Sequence, residues 1–338
     1  MINENNNTSR HTQRNAGVPT NNNKRIHQGI LGIVSPPKHG GGTSESHKQQ
    51  DTKQRSLSPL RYPGGKSRAV KHILPLIVGR TQTLISPFIG GGAIEIAAAD
   101  CGVQVQGFDV LGPLTDFWHW ALRDAKALAE RVSKFYPLSQ SQFQALQAQC
   151  EGLSGQDRAA VFFVLNRASF SGLTLSGGMA GPRDTRFTPS AIRNLGKFRS
   201  PNLQVSQADF RETLSSLPVD FAYLDPPYLL KHSNLYGVRG DTHKHFDHAA
   251  LVSALRQRKS HWLLSYNDCP AIRQLYAGHV IQTPAWSYGM SKEKQSSEVL
   301  IYSDGLSEEL GLHKGARRLA SEIDMSAKRQ YQKSVLMS

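Results

Sequence analysis

Thr83-Leu84-Ile85-Ser86-Pro87-Phe88-Ile89-Gly90-Gly91-Gly92 opens as an apolar run and ends in a glycine turn. Thr83 to Pro87 reads as a buried strand, Ala93 to Asp100 as a helix, and Val103 to Asp109 as a second strand. A strand, a glycine turn, a helix and a strand in quick succession form a βαβ beginning, which predicts a parallel sheet. Glycines in the first turn of such a unit let the backbone approach a ligand closely.

Upstream, order should begin near Leu57. After the turn Pro63-Gly64-Gly65 comes a short amphipathic helix with Val70, Ile73, Leu74 and Ile77 on one face. Pro75 is expected to kink or end it. Downstream, 114–165 is helical in pattern, and 166–199 is irregular, glycine-rich and basic. Strand-like segments resume at Leu203 to Val205, Val219 to Leu224, His261 to Ser265, His279 to Thr283 and Val299 to Tyr302. Helices fit Asp247 to Arg258 and Pro270 to Tyr276. The fold class is therefore an open α/β sheet with a mostly helical insertion after its second strand. Four regions are expected: a disordered polar extension over 1–56, a catalytic sheet over 57–112 and 200–303, an inserted recognition domain over 113–199, and a charged tail over 304–338.

The chain has 338 residues and a net charge of +14. Residues 1–56 hold eight Lys/Arg and three Asp/Glu, so most of the excess positive charge lies in the remainder. A basic fold favours a polyanionic partner such as nucleic acid, although charge alone also fits a basic protein with no such partner. The three cysteines, Cys101, Cys150 and Cys269, lack zinc-ligand or redox spacing, and a reducing compartment is the simplest reading. No apolar run approaches membrane-spanning length, and the Asn-rich beginning has no signal-peptide core. A cytoplasmic setting, in a bacterial or phage-infected cell, is expected.

Chemistry enters at Asp225-Pro226-Pro227-Tyr228, which follows the strand Val219 to Leu224. Ligands of open α/β sheets sit at the carboxyl ends of strands. An exocyclic aromatic amine is a poor nucleophile because its lone pair is delocalised into the ring. An ionised carboxylate is acceptor-only, so Asp225 can take one N–H of such an amine, and the Pro226 carbonyl can take the other. The prolines fix their own φ and lack N–H groups, and Tyr228 offers an aromatic face. Aligning an amine with a methyl donor is then a matter of positioning and electrostatics.

Other residues suit a cofactor. Asp109 ends the second strand at a distance suited to ribose hydroxyls, or simply closes a turn. Phe88, Gly90 and Gly92 belong to the glycine turn, which fits a structural or nucleotide-binding role as well as a methyl donor. Arg61-Tyr62-Pro63-Gly64-Gly65-Lys66 offers N–H groups and an ammonium to a small anion but lacks P-loop spacing. Asp209-Phe210 suits the edge and face of an adenine, or a helix start. His243-Lys244-His245-Phe246-Asp247-His248 invites a metal reading, but Asp247 reads as a helix N-cap and no partner cluster with ligand spacing exists, so no metal is expected.

Taken in order, these segments resemble the Dam-type (D12 class) DNA adenine-N6 methyltransferases over roughly 57–303. Arg61 to Lys66 resembles Lys-Trp-x-Gly-Gly-Lys, and Pro87 to Gly92 resembles Pro-Phe-x-Gly-x-Gly. Asn166-Arg167 with Gly172-Leu173 is similar to the Asn-Arg…Gly-Leu of the family's insertion. Leu264 to Asp268 resembles Ser-Asn-x-Asp, and Ser297 to Ile301 its final strand. The resemblance implies a Rossmann-like class I methyltransferase sheet, S-adenosylmethionine as donor and double-stranded DNA as partner. It places Tyr62, Lys66, Asp109 and Asp225 at donor positions, Asp209 and Phe210 near the donor's adenine, and Asp225 to Tyr228 on the target adenine. Where GATC-reading members carry x-Arg-Tyr-Asn after Gly-Leu, this chain has Thr174-Leu175-Ser176-Gly177, so a GATC target is not implied. Rival readings are a silent DNA-binding protein of the same fold and transfer to another amino group: cytosine N4, RNA adenine or protein glutamine. Neither a partner restriction endonuclease nor an oligomeric state is legible in the sequence.

Overall fold

The computed structural model describes residues 57–181, 183, 185–217, 219–229, 246–284 and 298–313. The polar extension over 1–56 and most of the charged tail lie outside these residues.

Seven strands form one sheet: β1 Thr83–Ser86, β2 Gln104–Asp109, β3 Leu203–Gln207, β4 Phe221–Leu224, β5 His261–Asn267, β6 Val280–Gln282 and β7 Glu298–Tyr302. Their order is β3-β2-β1-β4-β5-β7-β6. All neighbours are parallel except β7, which runs antiparallel to β5 and β6. This is the Rossmann-like class I methyltransferase sheet that the resemblance implies. The order reverses between β1 and β4, so the carboxyl ends of those two strands diverge around a crevice. Both strands are buried, as parallel strands covered on two faces must be.

Alternation along the strands builds two cores. Leu84, Phe221, Tyr223, Leu263 and Tyr302 face one core. Ile85, Ala222, Leu224, Trp262, Leu264 and Ile301 face the other. The first core also takes α1 Val70–Ile77 and α2 Ala93–Asp100. The second takes α7 Phe210–Ser216, α8 His248–Gln257 and α9 Pro270–Leu275.

Pro75 does not end α1, which runs on to Ile77 with Ile73 to Ile77 all buried. Arg80 Nη1 donates to the Pro75 carbonyl at 2.9 Å, satisfying an acceptor near the helix end. Packing outweighs the local cost of the proline here.

The stretch after β2 is helical, as its periodicity requires: α3 Gly112–Ser133, α4 Gln140–Gln149, α5 Gly155–Ala168 and α6 Pro189–Gly196. α3 is broken at Asp124, whose carboxylate accepts the Ala127 N–H at 2.9 Å and recaps the chain. These helices do not have a core of their own. Phe117, Trp118 and Phe163 pack in the same buried cluster as Leu84 and Tyr223. α3 is also the crossover helix between β2 and β3, so the sheet and the helices after it share a core. α10 Asp304–Glu309 buries Leu306, and Leu312 follows it into the first core.

Candidate active site

The glycine turn is held from both sides. Gly90 has φ +46° and Gly92, at the N-terminus of α2, has φ +67°, a backbone region that side chains with a Cβ rarely adopt. Asp109 Oδ2 accepts the Gly90 N–H at 3.3 Å, and Oδ1 accepts the Leu111 N–H at 3.0 Å. The Gly90 carbonyl accepts the Trp118 indole N–H at 3.0 Å. The Tyr62 ring lies against the turn so closely that a Cβ on Gly90 would come within 2.8 Å of it. Burial pushes the Asp109 carboxyl up to about 6, opposed by these backbone N–H groups.

Beside the turn stand three aromatic rings. Phe88, Phe210 and Phe246 have centroids 5.4–5.6 Å apart. The Arg211 guanidinium lies 4.7 Å from the Phe210 ring centre. Asp209 caps α7 by accepting the Arg211 N–H at 2.8 Å, so its helix-start role is realised. Asp247 caps α8 through the Ala250 N–H at 2.9 Å, as the sequence indicates.

Asp225 follows β4, and the alternation that turns Phe221 and Tyr223 towards the first core turns Asp225 the same way. There it meets the 3₁₀ turn Lys66–Arg68. Lys66 is 3% exposed and its ammonium donates to Asp225 Oδ2 at 2.8 Å, to the Tyr228 hydroxyl at 2.8 Å and to the Gly64 carbonyl at 3.1 Å. Ser265, at the same face of neighbouring β5, donates to Asp225 Oδ1 at 2.8 Å and lies 3.1 Å from the Tyr223 hydroxyl. Tyr228 donates to Glu298 on β7, and its ring stacks on Tyr266 at 5.9 Å. Burial, with Asp225 and Glu298 close by, holds the Tyr228 phenol well above its ordinary value. Asn267 fixes the chain beyond, exchanging two hydrogen bonds with Leu229 at 2.9 and 3.0 Å.

One cleft of about 1230 Å³ joins these parts. Tyr62, Lys66, Phe88, Gly90, Gly92, Asp109, Asp209, Phe210, Asp225 and Pro227 all line it. Pro226 is buried beneath, and Tyr228 has one face covered by Tyr266. A glycine turn against an acid, next to an aromatic cage and a carboxylate, is suited to a nucleoside with a charged tail and to an amine.

Residues 62–290 match the D12 class N6 adenine-specific DNA methyltransferases. The chain belongs to that family. A DNA N-6-adenine-methyltransferase of Escherichia phage P1 is 26% identical over 275 residues, 73% of this chain and 34% of that one. A DNA adenine methylase of Haemophilus influenzae is 24% identical over 258 residues, covering 67% and 87%. The chain thus spans about a third of the phage relative's length. A precorrin-6y C5,15-methyltransferase structure from Geobacter metallireducens aligns at a TM-score of 0.30 and 11% identity, over 70% of this chain and 86% of that one.

Several residues around the cleft are not foreseen from the sequence. Trp118 and Phe246 are ordinary core aromatics by pattern. Glu298 appears in the sequence reading only as part of a strand. Asn166 appears there only as half of a motif, yet the fold explains it. It is fully buried, its amide donates to the Arg61 carbonyl at 2.6 Å, and its carbonyl accepts the Arg61 N–H at 2.9 Å. Gly172 packs so close to the Arg61 carbonyl that a Cβ there would lie 2.4 Å away. Both motif residues therefore clamp the segment that carries Tyr62 and Lys66.

Glu95 is also new. It lies 2% exposed under the cleft, accepts the Ser86 hydroxyl at 2.6 Å, and is pushed up to about 7 by burial. Its proton is held more tightly in the fold than in the unfolded chain. The stability owed to the neutral carboxyl is complete below about pH 4.5 and lost as the pH rises through about 7, a loss of about 3 kcal/mol. Glu95→Gln should therefore match the parent in urea unfolding at pH 4.5 and exceed it by about 3 kcal/mol at pH 8. The same difference at both pH values would contradict this.

Among the described residues no group of three or more His, Cys, Asp or Glu is placed to hold a metal. His243 to His245 lie outside them, and His248 bonds to the Tyr266 hydroxyl. Among the described residues no helix is long and apolar enough to cross a membrane.

Proposed function

We propose that the chain transfers a methyl group from S-adenosylmethionine to the N6 amine of an adenine flipped out of duplex DNA. The observation that carries this reading is the meeting of the glycine turn of β1 and Asp225 of β4 in one cleft at the point where the strand order reverses.

The residues present fit the donor. The glycine turn leaves room for close approach, Asp109 keeps lone pairs for ribose hydroxyls, and the three phenylalanines offer faces to an adenine. S-adenosylmethionine, when bound, supplies an electrophilic methyl on a sulfonium with a neutral leaving group. Everything else falls to the protein. Ser265 and Lys66 each occupy one lone pair of Asp225, which leaves others to accept an amine N–H. The Pro226 carbonyl takes the second N–H, drawing the nitrogen towards tetrahedral geometry. No strong base is required, and the amine's proton leaves late. Extruding the base costs a few kcal/mol, which phosphate contacts from the basic chain help to offset.

Lys66 fits this scheme as the cation that holds the amine-binding carboxylate, since its donors already point to Asp225, Tyr228 and Gly64. The test is to incubate purified full-length protein with unmethylated genomic DNA and S-adenosylmethionine, and to map N6-methyladenine by long-read sequencing. Methylated adenines in one sequence context are expected. DNA left wholly unmodified would refute the reading, and methylation on cytosine would replace it with the rival.

A further inference from the structure

We infer that Glu298 is a positioning residue that keeps Asp225 free to receive the substrate amine by taking the Tyr228 hydroxyl proton away from it. The inference rests on the proposed amine-holding role of Asp225.

Lys66 can only donate, so at 2.8 Å the Tyr228 oxygen must accept from it. The hydroxyl proton of Tyr228 then has to go to a carboxylate. Among the described residues two are within reach: Glu298 Oε1, which it bonds, and Asp225 Oδ1 at 3.4 Å. Asp225 already accepts from Ser265 on Oδ1 and from Lys66 on Oδ2. A third internal donor, on Oδ1 beside Ser265, would fill that oxygen and leave the amine only the one lone pair that remains on Oδ2. Glu298 is 6% exposed and stands on β7, whose Glu298 pairs with Asn267 of β5 in the ladder, so strand pairing fixes its place. It also lies 3.5 Å from the Lys66 ammonium, so the buried cation is shared between two carboxylates. Such a network is set by all its members together. Removing the Glu298 acceptor turns both Tyr228 and Lys66 onto Asp225.

This predicts a rescue that a merely structural role would not give. In single-turnover assays with a methylatable duplex and tritiated S-adenosylmethionine, Glu298→Met should lower the transfer rate at least about 30-fold, in line with loss of one preorganised contact. Affinity for S-adenosylhomocysteine, measured by calorimetry, should stay within two-fold (roughly) because the glycine turn is untouched. Glu298→Gln keeps an acceptor and should lose at most about ten-fold. Adding Tyr228→Phe to Glu298→Met removes the misdirected proton and should recover at least about five-fold. If the methionine variant does not fold, Glu298→Asp, which withdraws the acceptor by one methylene, takes its place in every comparison. A Glu298→Met protein with the parent's rate, or a loss that Tyr228→Phe does not relieve, would overturn the inference while leaving adenine methylation intact. Absence of methylation by the parent protein would overturn the underlying reading and this inference with it.

Discussion

Asp225→Ala is expected to lower methyl transfer by about 10³-fold or more while leaving duplex affinity within a few-fold of the parent. The substitution removes the proposed acceptor for the N6 amine. It leaves the surroundings satisfied, because Lys66 keeps Tyr228, Gly64 and the nearby Glu298 as partners. The fold should therefore persist. DNA affinity rests mainly on phosphate contacts, which a residue at the cleft floor does not make. Single-turnover transfer and fluorescence anisotropy with a short duplex measure the two quantities. Turnover equal to the parent's would remove Asp225 from the chemistry.

Gly90→Val is expected to weaken donor binding by about 10²-fold and to cost about 1–3 kcal/mol of stability. Two causes act together. The backbone at Gly90 has φ +46°, where a β-branched residue is strained. The added Cβ also meets the Tyr62 ring at 2.8 Å. Either the ring moves into the cleft or the turn opens, and the Asp109 and Trp118 bonds to Gly90 are then lost. Calorimetric titration with S-adenosylmethionine reads the effect. Gly278→Ala is the control, since that glycine has open space around it. A Gly90→Val protein that binds the donor like the parent would show that the turn is not part of the donor site.

The βαβ beginning was legible because period, glycine turn and helix onset all agreed. The helix over Ala93–Asp100 lies where the pattern places it, β1 starts at Thr83 as expected, and β2 starts one residue later than expected. That Asp225 lies in the cleft was legible because its neighbours in sequence, two prolines and a tyrosine, are themselves distinctive. What escaped depends on contacts between distant parts of the chain. Asn166 and Arg61 are 105 positions apart, and Tyr228 and Glu298 are 70 apart. No local period marks such pairs. Glu95 looks like a helix residue facing solvent until the fold buries it. The shared core of α3 and the sheet, and the burial of Leu306 after β7, likewise have no local mark in the sequence.

The most direct measurement is the structure of the full-length protein with its methylatable duplex and S-adenosylhomocysteine. The account predicts the adenine N6 at about 3 Å from an Asp225 carboxylate oxygen and from the Pro226 carbonyl, with the donor's sulfur above the Gly90 turn. An extruded base held elsewhere, or a donor bound away from Gly90 and Asp109, would contradict it.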